Sequence, residues 1–226
     1  MKDRAGMIAS QKKKYRARFL KYGDSVLSTF QNNTETQTLR FEYLLKNISP
    51  QPGPFRLHDI GSGLGDLHGF LLERGIKHEY SGTEIVPEMI AVSRRKFPEI
   101  TVYERDFLDA PADETYDFVV LNGTLNLRSE TELTEQKEYA FALIEKMFQH
   151  ANAAIAFNFL TSRGTFSVPE LCYFDPAEIF DFCQGLSRFV TLDHSSPLYE
   201  ATVTVFQPGY LQSRFPQTVY QKYFPS

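Results

Sequence analysis

A chain of 226 residues with 42% hydrophobic and 23% charged side chains has the make-up of one sizeable globular domain and is too short for two full ones. Its net charge of −4 gives no support to general nucleic-acid binding. The two cysteines, Cys172 and Cys183, build neither a disulfide framework nor a four-ligand metal set, and no apolar run approaches the ~20 residues of a membrane span.

The first 21 residues are basic, with Lys2, Arg4, Lys12, Lys13, Lys14, Arg16, Arg18 and Lys21 against one acid, Asp3. They read as the solvated face of a helix whose Tyr15, Phe19 and Tyr22 pack inward. The competing reading is an arm for RNA or an acidic lipid. Gly23-Asp24 breaks that helix, and "TLRFEYLLKN" (38–47) has the apolar spacing of a second one. "SPQPGP" (49–54) then cannot continue a helix and reads as a linker. Residues 1–48 are thus expected to be an N-terminal helical extension and 49–226 the main body.

Strand and helix signals alternate from there. "FRLHDI" predicts a strand, "LHGFLLER" a helix ended by Gly75, "HEYSGTEI" a strand, and "PEMIAVSRRKF" a helix opened by Pro87. "ITVYERDF" and "YDFVVLNG" predict strands, 134–150 a long helix, and "AAIAFNFL" a strand buried on both faces. "DPAEIFDFCQGL" predicts a helix with Asp175 at its N-cap and Pro176 at N1. "RFVTLDH" and "EATVTVFQP" have no helix between them and predict an antiparallel pair. The class is α/β, a doubly wound, mostly parallel sheet of seven strands. The aromatic tail 210–226 either packs on its own core or docks on a neighbour.

Ligands of such sheets bind outside the carboxyl ends of the strands, at the topological switch point. "HDIGSGLGD" lies there. Its glycines permit a tight turn and close backbone approach. Glu84, 23 residues after Gly61, can accept from both hydroxyls of a ribose. The spacing is G-x-G-x-G, not G-x-G-x-x-G, and Asp66 beside it would repel a pyrophosphate. Asp59, just before the glycines, suits a ligand carrying positive charge. A nicotinamide-dependent oxidoreductase is disfavoured on these grounds.

At this point "HDIGSGLGD", "GTEI", "ERDF" and "YDFVVLNG" resemble, in order, the motifs of the class I S-adenosylmethionine-dependent methyltransferases, over about residues 55–207. The resemblance implies a Rossmann-like fold, S-adenosylmethionine as cofactor, and a loop of Gly61, Ser62, Gly63 and Gly65 beneath the methionine part. It implies Asp59 in the same region, Glu84 on the ribose, and Ile85, Asp106 and Phe107 around the adenine. Asn122 and Gly123 are implied near the transferred methyl. The N-terminal segment is similar to an extension of small bacterial members, in which Gln37 and Arg40-Phe41 match the pattern. It is expected to fold over the cofactor as a lid, with Gln37 or Arg40 reaching the cofactor carboxylate.

The resemblance leaves the methyl acceptor open. "NGTLN" (122–126) lacks the Asn/Asp-Pro-Pro-Tyr pattern of members that methylate exocyclic base amines. The leading expectation is O- or N-methylation of a small metabolite or natural-product intermediate, with Tyr15, Tyr22, Tyr173, Phe174 and Tyr199 enclosing it. His194 and Glu200 are the candidate acid/base residues. An RNA or protein methyltransferase guided by the basic arm and a non-catalytic binding subunit are the alternatives. No metal set appears, no secretory h-region opens the chain, and the cytoplasm is the expected location. The oligomeric state is open.

Overall fold

The structure, a computed structural model, describes residues 3–48 and 53–224. The expected linker residues 49–52, Lys2 and residues 225–226 lie outside the described residues. Two helices come first, α1 (Arg4–Tyr22) and α2 (Thr34–Leu45), joined by a single 3₁₀ turn (Val26–Thr29). Asp3 caps α1 by accepting from Gly6 N–H at 2.9 Å, and Asn33 caps α2 by accepting from Thr36 N–H at 2.8 Å. Gly23, at φ 62°, ends α1 where the sequence predicts a break.

Then come β1 (Phe55–Ile60), α3 (Asp66–Glu73), β2 (His78–Glu84), α4 (Pro87–Lys96), β3 (Thr101–Glu104), β4 (Tyr116–Leu121), α5 (Leu133–His150) and β5 (Ala151–Leu160). The fold closes with α6 (Pro176–Leu186), β6 (Val190–Asp193), β7 (Glu200–Phe206), α7 (Pro208–Arg214) and α8 (Thr218–Gln221). The strands form one seven-stranded sheet in the order β3-β2-β1-β4-β5-β7-β6. β7 runs antiparallel to both β5 and β6, and the other pairs are parallel, as the sequence predicts. β3 is shorter than "ITVYERDF" suggests. Asp106 leaves the ladder and caps a 3₁₀ turn (Phe107–Asp109), accepting from Leu108 N–H at 3.1 Å.

Two apolar layers cover the sheet. α2, α3 and α4 place Phe41, Leu44, Leu67, Leu71 and Ile90 on one face, against Leu57, Phe118 and Val120. α5 and α6 place Leu143, Ile144, Met147 and Ile179 on the other, against Val119, Ile155 and Phe157. Phe118 is 1% exposed, and truncating such a side chain to Ala costs about 3–5 kcal/mol. The tail touches its own chain at two points, with the Phe206 and Tyr210 rings stacked at 6.5 Å and Phe224 5.3 Å from Phe189, while Phe215, Val219, Tyr220 and Tyr223 stay exposed. Both cysteines are free and buried, and burial pushes their thiols up to about 11 (Cys172) and about 12 (Cys183).

The basic N-terminal stretch binds its own protein. Arg4 pairs with Asp109 at 2.5 Å, Lys12 with Glu104 at 3.3 Å, and Arg16 with Glu88 at 2.5 Å. Lys14 donates to the Arg128 carbonyl at 2.7 Å. Tyr15 and Phe19 pack on Leu64, Val86, Met89 and Val92. These contacts lay α1 across the carboxyl ends of the strands, over the glycine loop.

Candidate active site

A cleft of about 880 Å³ opens at the carboxyl ends of β1, β2 and β4, under α1 and α2. β1 ends in Asp59-Ile60 and the chain turns through Gly61 (φ 71°) and Gly63 (φ 54°), a left-handed backbone suited to glycine. A Cβ on Gly61 would also run into the Thr124 hydroxyl. Glu84, at the end of β2, holds the loop's shape. Its carboxylate accepts from Gly63 N–H at 3.0 Å, Ile85 N–H at 2.6 Å and Val86 N–H at 2.8 Å. Burial raises its pKa, and the three N–H donors oppose that shift.

Two more carboxylates face the same space. Asp59 accepts from the Tyr80 hydroxyl at 2.7 Å through Oδ2, while its buried Oδ1 has no hydrogen-bond partner among the described residues. Burial pushes Asp59 up to about 7, with Tyr80 opposing and Glu84 adding to the rise. Asp106 accepts from the Tyr139 hydroxyl at 2.8 Å through Oδ1; its buried Oδ2 makes no hydrogen bond and lies 3.7 Å from Arg4 Nε. Burial raises this group as well. The cleft therefore holds two acids that each keep one oxygen without a donor, an arrangement matched by a ligand bringing an ammonium, a sulfonium and an amino group. A pyrophosphate would face three acids there, Asp59, Glu84 and Asp106. The residues fit S-adenosylmethionine on this ground. Ser62, Ile85, Phe107 and Asn122 also line the cleft. So does Gln37, whose amide donates to Asp66 at 3.0 Å.

A second cleft, of about 1170 Å³, adjoins the first; Tyr15, Thr29 and Gln31 line both. Its walls include Phe166, Leu171, Tyr173, Leu198 and Tyr199. The Phe166 and Tyr199 rings lie 6.1 Å apart at its rim, 56% and 48% exposed. Its floor is polar. Arg40 Nε donates to Glu200 at 2.8 Å, Arg40 Nη2 lies 2.7 Å from the same carboxylate, and Nη1 donates to Gln31 Oε1. Asn158 Nδ2 donates to Glu200 at 2.8 Å and to Asn122 Oδ1 at 2.8 Å, and its Oδ1 accepts from Gly123 N–H at 2.6 Å.

The structure corrects the expected placements of Arg40, Phe174, Tyr22 and His194. Arg40 lines the second cleft and is held by Glu200 and Gln31, so it does not face the first cleft to meet a cofactor carboxylate. Gly123 lines the second cleft where it adjoins the first, and Gly65 closes the glycine loop, capping α3 at φ 79°, where a Cβ would stand 3.1 Å from the Phe97 ring. Phe174 is fully buried in the core because the end of β5 bonds its backbone, with Phe174 N–H donating to the Leu160 carbonyl at 2.9 Å. Tyr22 sits beside Arg18 and Lys21, past the inward face of α1. His194 is exposed in the turn after β6 and lines neither cleft. Glu200 lines the second cleft as an ion-paired carboxylate. His58 points away from both clefts, bonding Ser81 at 2.8 Å and Thr83 at 2.6 Å; burial lowers it to about 3.

Sequence reasoning missed Tyr80 and Tyr139, which hold the two acids, and Gln31 and Asn158. Tyr80 stands on β2 opposite Leu57, two positions before Asp59, so its place beside Asp59 depends on register. Gln31 and Asn158 carry no local signal.

A family model described as a methyltransferase domain matches residues 58–159. A Mycobacterium tuberculosis protein named as a methyltransferase is 33% identical over 156 residues, 67% of this chain and 93% of that protein. Among solved structures, the complex of DhpI with S-adenosylhomocysteine aligns with a TM-score of 0.64 at 18% identity, over 88% of this chain and 96% of that one. The Burkholderia thailandensis 1,6-didemethyltoxoflavin-N1-methyltransferase aligns with a TM-score of 0.63 at 13% identity, over 88% of each chain. The glycine loop, Glu84 at the end of β2 and the antiparallel last strand agree with these likenesses, and the chain belongs to the class I S-adenosylmethionine-dependent methyltransferases.

Proposed function

We propose that the enzyme methylates an O or N atom of a small metabolite or natural-product intermediate, with the second cleft as acceptor site. The observation that carries this is the meeting of the two clefts at Tyr15, Thr29 and Gln31, the second being walled by aromatic and aliphatic side chains of molecular rather than macromolecular scale. Bound S-adenosylmethionine supplies an electrophilic methyl carbon on a sulfonium. The chain's own part is to orient the acceptor at the junction and exclude water, which can supply most of the rate when the leaving group is already good. The Burkholderia thailandensis structural neighbour, which holds bound 1,6-didemethyltoxoflavin, lends support.

Residues 1–48 act in this reading as a lid over a core of 49–226, with α1 covering the first cleft. A role for the basic arm in RNA or protein methylation loses support, since Arg4, Lys12 and Arg16 are paired with acids of the same chain. The cytoplasm remains the proposed location; no helix among the described residues is long and apolar enough to cross a membrane. The test is transfer of tritium from methyl-labelled S-adenosylmethionine, offered phenols, carboxylic acids, amines, bulk RNA and total protein. Label in an extractable small molecule supports the proposal. Label in RNA or protein only, or tight cofactor binding with no transfer to any acceptor, overturns it.

A further inference from the structure

Two side-chain amides converge on Gly123 at the edge of the second cleft. Gln31 is 7% exposed and lines both clefts. Its Oε1 accepts from Arg40 Nη1, and since a guanidinium has only donors, the amide has one possible orientation. Nε2 is therefore the free end, and it makes no hydrogen bond among the described residues. Asn126 is fixed by the same logic. Its Oδ1 accepts from Leu160 N–H at 3.1 Å, which leaves Nδ2 free.

Both free NH₂ groups lie near one point. A Cβ built on Gly123 would lie 3.8 Å from Gln31 Nε2 and 3.9 Å from Asn126 Nδ2. Gly123 has φ 74° and no side chain, so this space stays open. Its backbone is tied down by N–H donation to Asn158 at 2.6 Å. The supports reach further: Arg40, which orients Gln31, is itself held by Glu200. Rigid donors with no partner of their own stabilise an oxygen that carries negative charge, because they need no reorganisation when the charge arrives. An amine would instead present N–H to N–H.

We propose that Gln31 Nε2 and Asn126 Nδ2 form an oxyanion-binding site for the acceptor, so that the substrate class is an oxygen acid, such as a phenol or enol, bound deprotonated with its proton released to water. Leu127, Tyr173 and Tyr199 would receive the rest of a planar apolar body. This rests on the acceptor-cleft reading above and narrows it from O or N to O. Gln31 and Asn126 act as positioning and specificity residues.

The probe is 4-nitrophenol, followed by its phenolate absorbance with the enzyme saturated by S-adenosylhomocysteine, and 4-nitroaniline is the amine control. Gln31→Glu and Asn126→Asp are near-isosteric: each keeps an oxygen that bonds Arg40 or Leu160 N–H, turns the free donor into an acceptor and adds a negative charge. In wild type the bound phenol should ionise about tenfold more readily than the free one, since donors to the charged form favour it. Each substitution should weaken phenolate binding by about tenfold or more and abolish that shift, while nitroaniline binding holds or improves. Equal response of both probes, or no response to either substitution, overturns the oxyanion site. In those cases Tyr199→Ala separates the two levels. Loss of both probes in that variant leaves the acceptor cleft standing, and no effect there, or no binding of either probe to wild type, sinks the cleft reading too.

Discussion

The two clefts are built on different terms. The first is made by the ends of β1, β2 and β4, where the sheet's topology obliges a crevice, and its acids and glycines fall within short motifs. The second is made by residues that meet only through the fold: Arg40 and Glu200 are 160 positions apart, and Asn158 reaches Asn122 from a neighbouring strand. The first cleft thus takes its acids from strand-end motifs, whereas the proposed acceptor cleft is assembled from residues far apart in sequence; the N-terminal segment lines both. The first can stay constant while the second is rebuilt for another substrate.

The sharpest way to break this contrast is at Glu84. Glu84→Ala removes the acceptor for three loop N–H groups, and calorimetry should show S-adenosylmethionine affinity falling by 100-fold or more, about 3 kcal/mol. Arg40→Ala strikes the second cleft instead. It leaves Glu200, 5% exposed, as a buried unpaired charge, and denaturant unfolding should register a loss of about 3 kcal/mol. Cofactor affinity should change far less than in the Glu84 variant; an equal loss would erase the distinction between the clefts.

A pH series comes next in size. Asp59 is raised from 3.8 to about 7 by burial, so the folded chain holds a proton that the unfolded chain has released between those values. Its contribution to stability should fall as pH rises from about 4 to 7, and thermal melts of wild type against Asp59→Asn should converge at the acid end. Binding runs the other way. A cationic ligand needs the carboxylate charged, so affinity should rise through pH 7 with proton release, seen calorimetrically as a buffer-dependent enthalpy. Tyr80→Phe, which removes the hydrogen bond to the charged form, should move that midpoint upward. The smallest effects belong to α1. Lys12→Ala and Arg16→Ala each remove a largely exposed ion pair and should cost at most about 1 kcal/mol in melts. Binding of RNA by wild type, lost in these variants, would revive the arm reading.

What was legible follows the same division. Strand-helix alternation, the caps at Asp175 and Pro176 and the helix-free β6–β7 connection carry local signals, and so do Asp59, Glu84 and the glycines. Phe174 and Tyr22 show the limit. An aromatic near a strand end has the same composition whether it lines a cleft, fills the core or lies along an outer helix face, and only packing separates these. His194 was a plausible acid/base residue by type, yet the turn after β6 carries it out to solvent. Gln31 could not have been found without its guanidinium partner, which is what turns an ordinary amide into an oriented donor.

The position of β7 also governs the order in which the molecule can be made. β6 pairs only with β7 among the described strands, and β7 lies between β5 and β6. During synthesis β6 lacks its native partner until residues 200–206 have left the ribosome. The five strands before it can already pair, bringing Asp59, Glu84 and Asp106 together. Glu200 is the first residue of β7, and Arg40 has been synthesised 160 residues earlier. The acids of the first cleft are thus in place before the Arg40–Glu200 pair of the proposed acceptor cleft can form.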